Sequence, residues 1–262
     1  MHSYLNLVNR VLHTGITRPN RTGIDTLSIF GESIQHDMSL GMPVLTTKKV
    51  NFRACVVELL WFLRGDTNIK YLQDNNVHIW DAWADANGNL GPVYGKQWVE
   101  SGKNRINQVD YVINEIKHNP YSRRIILDAW SPSDLADMAL PPCHVLYQFY
   151  ADPASNSLDL QVYMRSADLF LGLPFDIAEG ALLLSLIAKI TGYTPRKVKY
   201  TLGDAHIYKS HLTQVGIQLE REPLVLPTLK IAKKESIYDY DINDIELLNY
   251  EHHGFLKGEV AV

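Results

Sequence analysis

The sequence predicts a single α+β domain over residues 1–262, with helices packed against a sheet. Two kinds of apolar spacing support this prediction. Apolar residues recur at helical spacing in Tyr4 to Leu12 and in Phe52 to Leu63. They alternate at strand spacing from Cys143 to Tyr150 and from Leu158 to Met164, which predicts a hairpin. The chain has no repeat, low-complexity tract or linker, so one domain is expected.

Composition excludes several classes of protein. Hydrophobic residues make up 46% of the chain and charged residues 21%, as in ordinary globular proteins. A formal net charge of −4 argues against a general surface for nucleic acid, so any phosphate site must be a local arginine cluster. The N-terminus has no apolar signal core, and the longest apolar run, Ala181 to Ala188, is too short to span a bilayer. We expect neither a membrane nor a nucleic acid as a partner.

The two cysteines cannot form a disulfide framework, which favours a reducing compartment. We therefore expect a cytoplasmic protein, in the host cytoplasm if the chain is phage-encoded. The sequence has no Cys-x-x-Cys pair and no His/Cys grouping with the spacing of metal ligands. His252 and His253 fall among loop residues, where we expect them to be solvated. No metal is predicted.

The first half of the chain contains helices, a short strand and one long loop. A strand is predicted at Leu27 to Phe30, and the helix that begins at Phe52 should stop at Gly65. Residues 79–98 are rich in Trp, Tyr, Asn and Gly without a clear period, which is typical of a functional loop. A short amphipathic helix is predicted from Val109 to Ile116, before Pro120.

The second half of the chain is predicted to continue beyond the hairpin. Arg165-Ser166 should end the second strand of the hairpin, and Pro174 is well placed to open a helix that runs to about Ile190. Residues 203–206, Gly-Asp-Ala-His, are predicted to follow a strand and to precede another helix.

Cys143 is the first candidate for chemistry. It follows two prolines at the start of a predicted strand, next to His144, and arginines elsewhere in the chain could favour its thiolate form. The alternative is a small buried hydrophobic residue, which is the usual role of a free cysteine.

Glu58 is the second candidate, because it lies at the edge of the apolar face of the helix from Phe52 to Leu63. A carboxyl group there must be paired or protonated. Burial would raise its pKa, which suits a general acid or a proton relay, whereas the alternative is a structural salt bridge.

The adjacent pair Arg123-Arg124 precedes the strand-like residues Ile125 to Leu127. Neighbouring arginines at the start of a strand can fork onto a phosphate group. The alternative is that both side chains are simply solvated.

With these features in place, the chain resembles the thymidylate synthase family over nearly its whole length. The matching blocks are Arg21-Thr22-Gly23, Thr46-Thr47-Lys48, Glu58 to Leu63, Gly91 to Gly95, Ser122-Arg123-Arg124, Pro142-Cys143-His144, Arg165 to Asp168, Leu171 to Phe175 and Gly203 to Tyr208. So many blocks in order make the resemblance specific, and it favours the nucleophile interpretation of Cys143.

The resemblance implies a homodimer built on a large mixed β-sheet with flanking helices. It implies a nucleoside monophosphate as substrate and 5,10-methylenetetrahydrofolate as one-carbon donor. Cys143 would add to C6 of the pyrimidine and so make C5 nucleophilic. The resemblance also implies that the phosphate is bound by Arg21, Arg165 and Ser166 of one subunit together with Arg123 and Arg124 of its neighbour. It implies ribose binding for His206 and Tyr208, and proton transfer for Glu58, Tyr94 and His144. Folate binding or site closure is implied for Trp80, Asp168, Leu171, Gly172, Phe175 and Val262.

Asp176 departs from the synthase pattern, because synthases carry an Asn after the Pro-Phe pair. An amide complements the N3–H donor and O4 acceptor of uracil. A carboxylate instead can accept from the N4 amino group of cytosine and share a proton with N3, and a mispairing of this kind can cost several powers of ten in specificity. The alternative is that Asp176, near the start of a helix, only interacts with the helix dipole or caps the helix.

Asp176 and Met164 both resemble the deoxycytidylate hydroxymethylase branch of the family. Glu179-Gly180 replaces the Ser-Tyr pair of synthases, while much of the remaining pattern is synthase-like. We therefore predict a folate-dependent transferase that acts on C5 of dCMP, with hydroxymethyl favoured over methyl as the product. The alternatives are a thymidylate synthase that acts on dUMP and a silent homologue that binds nucleotide or RNA.

Overall fold

The computed structural model describes residues 1–261. The helices are α1 (His2–Thr14), α2 (Phe52–Leu63), α3 (Lys70–Asp74), α4 (Tyr94–Val99), α5 (Gln108–His118), α6 (Gly172–Thr191) and α7 (Leu212–Leu219). The strands are β1 (Ile16–Arg18), β2 (Thr26–Asp37), β3 (Ile126–Asp128), β4 (His144–Asp152), β5 (Ser157–Asp168), β6 (Thr194–Tyr208), β7 (Thr228–Ile231) and β8 (Ile245–Leu248).

Six strands form one mixed sheet in the order β1-β2-β6-β5-β4-β3. The pair β5–β6 is parallel, and the other neighbouring strand pairs of this sheet are antiparallel. The predicted hairpin is the pair β4–β5. A separate antiparallel pair, β7–β8, lies near the end of the chain. The α+β class with a large mixed sheet is therefore confirmed.

The core lies between one face of this sheet and the helices. Helix α6 is buried along almost its whole length, which fits a helix that is apolar on all sides. It packs against β5 and β6 on one side and against α2 on the other. Helix α2 is also buried, apart from Arg53. Flanking helices are thus confirmed, and α2 and α6 bring Glu58 and Asp176 to the same region.

The prediction that residues 203–206 follow a strand was wrong, because they lie inside the long strand β6, although a helix, α7, does come after it. Gly203 suggested a break, but its role is packing. A Cβ atom at Gly203 would lie 2.8 Å from the carbonyl oxygen of Arg165 on β5, so glycine allows the two strands to approach closely.

Other boundaries also differ from prediction, and strand β2 runs on to Asp37 rather than ending at Phe30. Strand β5 continues past Arg165-Ser166 to Asp168, because its pairing with β6 extends that far. Helix α6 begins at Gly172, so Pro174 lies within its first turn, where a missing N–H costs no helical hydrogen bond. The predicted loop 79–98 contains the start of α4.

His252 and His253 lie in irregular structure and are partly exposed to solvent. Nε2 of His253 lies 2.9 Å from the carbonyl oxygen of Glu222, and Nδ1 of His252 lies 3.0 Å from that of His253. Among residues 1–261, no helix is both long enough and apolar enough to cross a membrane. Both cysteines are free thiols, and the cytoplasmic location stays a prediction.

Candidate active site

A cleft of about 840 Å³ opens beside Cys143, where the ends of β5 and β6 meet the start of α6. It is lined by most of the residues that the sequence singled out. These are Arg21, Glu58, Trp80, Cys143, Arg165, Ser166, Asp168, Leu171, Gly172, Phe175, Asp176, His206 and Tyr208. Residues distant in sequence thus meet in one cleft large enough for a small-molecule ligand.

Cys143 lies directly before β4, with its thiol beside Arg165. Nη2 of Arg165 is 3.9 Å from Sγ, and the same guanidinium group donates to the carbonyl oxygens of Pro141 and Pro142, both at 2.7 Å. Burial raises the pKa of the Cys143 thiol to about 11, against the opposing effect of Arg165. The free chain therefore holds a thiol, with a cation in place to favour the thiolate.

Tyr94 and His144 lie behind Cys143 rather than on the cleft wall. The backbone N–H of Cys143 donates to the hydroxyl of Tyr94 at 2.7 Å, and the Tyr94 ring stacks on His144 at a centroid distance of 4.2 Å. Nδ1 of His144 is hydrogen-bonded to the hydroxyl of Tyr147. Burial lowers the pKa of His144 to about 3, so its imidazole is neutral. These groups fix the backbone at the nucleophile.

Glu58 is buried on α2, and its partner in the structure is Trp80, whose indole N–H donates to Oε1 at 2.6 Å. Burial raises the pKa of Glu58 to about 7, although the Trp80 hydrogen bond opposes this shift. No cation within the described residues forms a salt bridge with it. The structural salt bridge considered above is therefore wrong, and a carboxyl group that titrates near neutral pH suits proton transfer.

One end of the cleft carries cations and hydroxyl groups. Arg21, Arg165 and Ser166 line it, as do Arg18 and Asp204, which the sequence analysis missed. Nη1 of Arg18 lies 3.2 Å from Oδ2 of Asp204. This cluster has the chemistry to bind a phosphate group.

Beside this end lie His206 and Tyr208. Nδ1 of His206 is 3.2 Å from Oδ1 of Asp204. The pKa of His206 is raised overall. Burial alone would lower this pKa, but the hydrogen bond to Asp204 and the nearby charges of Asp168 and Asp204 outweigh burial. The imidazole can therefore donate hydrogen bonds into the cleft.

The other end of the cleft is aromatic and apolar. Trp80, Trp83, Leu171 and Phe175 line it together with the chain end at Gly258, Val260 and Ala261. The carbonyl oxygen of Glu259 lies 2.9 Å from Nε2 of His211, which helps to hold this end in place. Val262, predicted to help close the site, lies outside the described residues.

Lys48 is a neighbouring group that the sequence analysis named only within a motif. It is buried, it donates to the carbonyl oxygen of Phe170, and Nζ lies 3.9 Å from the centre of the Phe170 ring. Burial lowers its pKa to about 8. Its motif, Thr46-Thr47-Lys48, was the signal that could have identified it.

Asp176 lies in the first turns of α6 and faces the cleft close to His144. The distance between Nε2 of His144 and Oδ1 of Asp176 is 3.7 Å. Burial, and then the charges of Glu58 and Asp168, raise the pKa of Asp176 well above its usual value. A helix-capping role is not seen, because the side chain makes no cap hydrogen bond at the start of α6.

His144, Asp176 and Glu179 form a group that the sequence spacing did not reveal. One donor atom from each lies within 4.8 Å of the others, so the group could hold a cation. The residues come from β4 and α6, which explains why no spacing motif identified them. The prediction that no metal is used stays a prediction.

Arg123 and Arg124 do not reach this cleft in a single chain. Both are exposed, and Arg123 lies beside a second depression, of about 540 Å³, on the open face of the sheet. Tyr121, Tyr150 and Lys199 also line that depression.

The family model described as thymidylate synthase matches residues 2–262, which is nearly the whole chain. The match includes every element that builds the cleft. The chain therefore belongs to the thymidylate synthase family, whose members use methylenetetrahydrofolate to transfer a one-carbon unit to C5 of a pyrimidine nucleotide.

Proposed function

We propose that this chain transfers a one-carbon unit to C5 of dCMP and forms 5-hydroxymethyl-dCMP. The choice of base rests on Asp176, which lines the cleft together with Cys143. Because its pKa is raised well above the usual value, its carboxyl group can keep a proton beside the base.

Cytosine offers an N3 acceptor and an N4 amino donor, which is the pattern that one carboxyl group can match. One oxygen accepts from the amino group, and the proton bridges the other oxygen to N3. Uracil offers O4 and N3–H, so it pairs only with a protonated Asp176, and an ionised Asp176 would face O4 with acceptor against acceptor. N3 of cytosine is a far stronger base than O4 of uracil, so the shared proton is held more strongly with cytosine. This difference in basicity favours dCMP.

The nucleophile in this proposal is Cys143, which adds to C6 of the ring. Protonation at N3 draws charge out of the ring and so assists the addition. Glu58, Tyr94 and His144 serve proton transfer, with Tyr94 and His144 acting behind the cleft wall. His206 and Tyr208 bond to the ribose.

The aromatic end of the cleft fits the folate. Trp80, Trp83, Leu171 and Phe175 offer flat and apolar surfaces for a pterin ring, and Gly172 leaves room beside them. The carboxylate of Asp168 lines the same cleft and can accept hydrogen bonds from ring N–H groups. When bound, the folate supplies the methylene unit and, for a methyl product, a hydride.

The product depends on whether water reaches the new methylene group. Trp80 and the chain end would help to exclude water, which favours methyl and supports the alternative of an ordinary synthase reaction. Asp176, Met164 and Glu179-Gly180 resemble the hydroxymethylase branch, and a carboxyl group beside N4 could hold an ordered water near the methylene. On this balance we favour hydroxymethyl.

The proposal includes a homodimer in which Arg123 and Arg124 bind the phosphate held by the neighbouring subunit. Two observations support it. Both arginines are exposed and lie outside the cleft of their own chain. The sheet face opposite the helices also carries the exposed large side chains of Tyr150 and Tyr163, which a second copy could cover.

The test is a comparison of dCMP with dUMP as substrates, each tritiated at C5, with tritium release as the measurement. The proposal expects faster release from dCMP, and Cys143→Ser provides the blank. Absorbance near the dihydrofolate band distinguishes the products, because only methyl formation oxidises the folate. Faster release from dUMP would overturn the substrate, and dihydrofolate formed mole for mole with product would overturn the hydroxymethyl assignment.

A further inference from the structure

Glu179 is a buried carboxyl group behind Asp176 without an assigned role. It lies one turn after Asp176 on α6, at the i+3 position, and is only 4% exposed. Its Oε1 has no hydrogen-bond partner. An unpartnered buried polar atom is costly, so a ligand or a change of protonation state must satisfy it.

The surroundings of Glu179 offer carboxyl groups rather than cations. One carboxyl oxygen of Glu179, one of Asp176 and one ring nitrogen of His144 lie within 4.8 Å of one another, and His144 is neutral. Two ionised carboxylates this close in a buried site repel strongly. Burial, followed by the charges of Glu58 and Asp176, raises the pKa of Glu179 well above its usual value. Glu179 therefore stands as a neutral acid with one O–H donor.

The backbone under both carboxyl groups is fixed by Tyr200 on β6. Its hydroxyl lies 3.1 Å from the carbonyl oxygen of Asp176 and 3.0 Å from that of Ile177. Gly180 makes room for that hydroxyl, since a Cβ atom there would lie 2.4 Å from it. The replacement pair thus has two roles. Glu179 supplies a proton donor, and Gly180 leaves room for the Tyr200 hydroxyl that fixes the backbone of Asp176.

We propose that Glu179 is a positioning residue for Asp176. The carboxyl O–H of Glu179 donates a hydrogen bond to the Asp176 carboxylate, which forms when N3 of the base takes up a proton. This inference rests on the proposed function, because only a cytosine N3 requires that proton.

The step balances as follows in the substrate complex. The thiolate of Cys143 forms the bond from sulfur to C6, and the electron pair of the C5=C6 bond moves into the ring towards C5 and N3. The proton of Asp176 passes to N3, so the negative charge that began on sulfur ends on Asp176. Glu179 keeps its proton and stabilises that carboxylate by a charge-assisted hydrogen bond.

The test compares Glu179→Gln, which keeps an N–H donor of similar reach, with Glu179→Met, which keeps length but removes the donor. With dCMP, Glu179→Met should lose about 10- to 100-fold in kcat, the usual effect of a hydrogen bond to a charged group, with little change in KM. Glu179→Gln should stay within a few-fold of the wild type.

Two further measurements separate positioning from a purely structural effect. With dCMP, the wild type should lose activity at alkaline pH as Asp176 and Glu179 give up their protons. In Glu179→Gln only Asp176 can ionise, so its alkaline limb should be shifted and less steep. In an Asp176→Asn background, where no carboxylate forms, Glu179→Met should change dUMP turnover less than about 3-fold.

Equal loss in the Gln and Met variants, or an unchanged pH profile in Glu179→Gln, would overturn the inference. Activity that needs an added divalent cation would overturn it too, since the same three groups would then bind metal. If Glu179→Met does not fold, the pH profile of Glu179→Gln still decides. A wild type that prefers dUMP would instead refute the proposed function, which the comparison of the two substrates detects separately.

Discussion

The thiol of Cys143 lies between groups that shift its pKa in opposite directions. Burial raises that pKa to about 11, Arg165 lowers it, and Asp176 and Asp168 raise it further. The thiolate is therefore scarce in the free chain at neutral pH. The positions of Arg165 and Arg21 mean that thiolate formation is coupled to the same arginines that we assign to the phosphate.

Replacing Cys143 with serine should abolish turnover and leave nucleotide binding intact. The hydroxyl group is far less nucleophilic than the thiolate, and the side chain beside Sγ, Arg165, is a cation rather than a base. Tritium release from C5 measures turnover, and equilibrium dialysis measures binding. Substantial release by Cys143→Ser would refute the role of Cys143.

Replacing Asp176 with asparagine should move the preference from dCMP towards dUMP. The amide restores the donor that O4 requires and loses the proton that N3 shares, so the ratio of kcat/KM for the two nucleotides should shift by about 100-fold or more. Steady-state kinetics with both substrates gives the ratio. An unchanged ratio would mean that Asp176 does not read the base.

Among the secondary-structure elements, helix α2 buries an ionisable group in an apolar interior. The pKa of Glu58 rises from 4.5 to about 7, chiefly through burial. The folded state therefore binds the proton more tightly than the unfolded state does. This contribution to stability is complete below the unfolded pKa and is lost as the pH rises through the folded pKa.

We expect the unfolding free energy of the wild type, relative to that of Glu58→Gln, to decrease as the pH rises from about 4.5 to about 7. One pKa unit corresponds to about 1.4 kcal/mol, so the fall should be on the order of 3 kcal/mol. Urea denaturation at several pH values measures it. Parallel curves for the two proteins would show that Glu58 ionises normally.

The contact between α6 and β6 gives a second prediction at this scale. Alanine at Gly180 favours a helix, but its Cβ atom would lie 2.4 Å from the hydroxyl of Tyr200. Gly180→Ala should therefore destabilise the chain by about 1–3 kcal/mol, the usual cost of overpacking. In a Tyr200→Phe background, which removes the hydroxyl, the same change should cost much less. Equal costs in both backgrounds would contradict the contact.

Elements with a regular apolar period, including the hairpin β4–β5, were predictable from sequence, but strand lengths that depend on pairing were not. Helix α2 begins and ends at the predicted residues, because nearly every position on it is apolar. Strand β6 was predicted too short, since Gly203 reads as a break unless its neighbour on β5 is known.

The same limit applied to the site. Motif residues such as Arg165 and His206 were found, whereas the grouping of His144, Asp176 and Glu179 depends on how β4 meets α6.

At the scale of the whole molecule, the mixed sheet has one face covered by helices and one face open. Cross-strand neighbours Gln148, Gln161 and Lys199 lie in one row on the open face. The depression beside Arg123 is on the same face. We propose that a second copy packs there and that its arginines reach the cleft of the first.

A mixed dimer tests this arrangement directly. Arg123→Ala and Cys143→Ser chains are each expected to be inactive alone, because one lacks a phosphate contact and the other lacks the nucleophile. If the arginine serves the neighbour, a dimer of one chain of each kind holds one complete site, and activity should return when the two are unfolded and refolded together. The control is the wild type mixed with a chain that carries both substitutions. If the sites are shared, this control dimer is inactive, because its intact Cys143 receives no Arg123. If each site lies within one chain, the control dimer is active and the first mixed dimer is inactive. The two chains of each mixture carry different affinity tags, so that the mixed dimer is separated from the homodimers before the assay. The two purified mixed dimers then give opposite patterns of tritium release from dCMP.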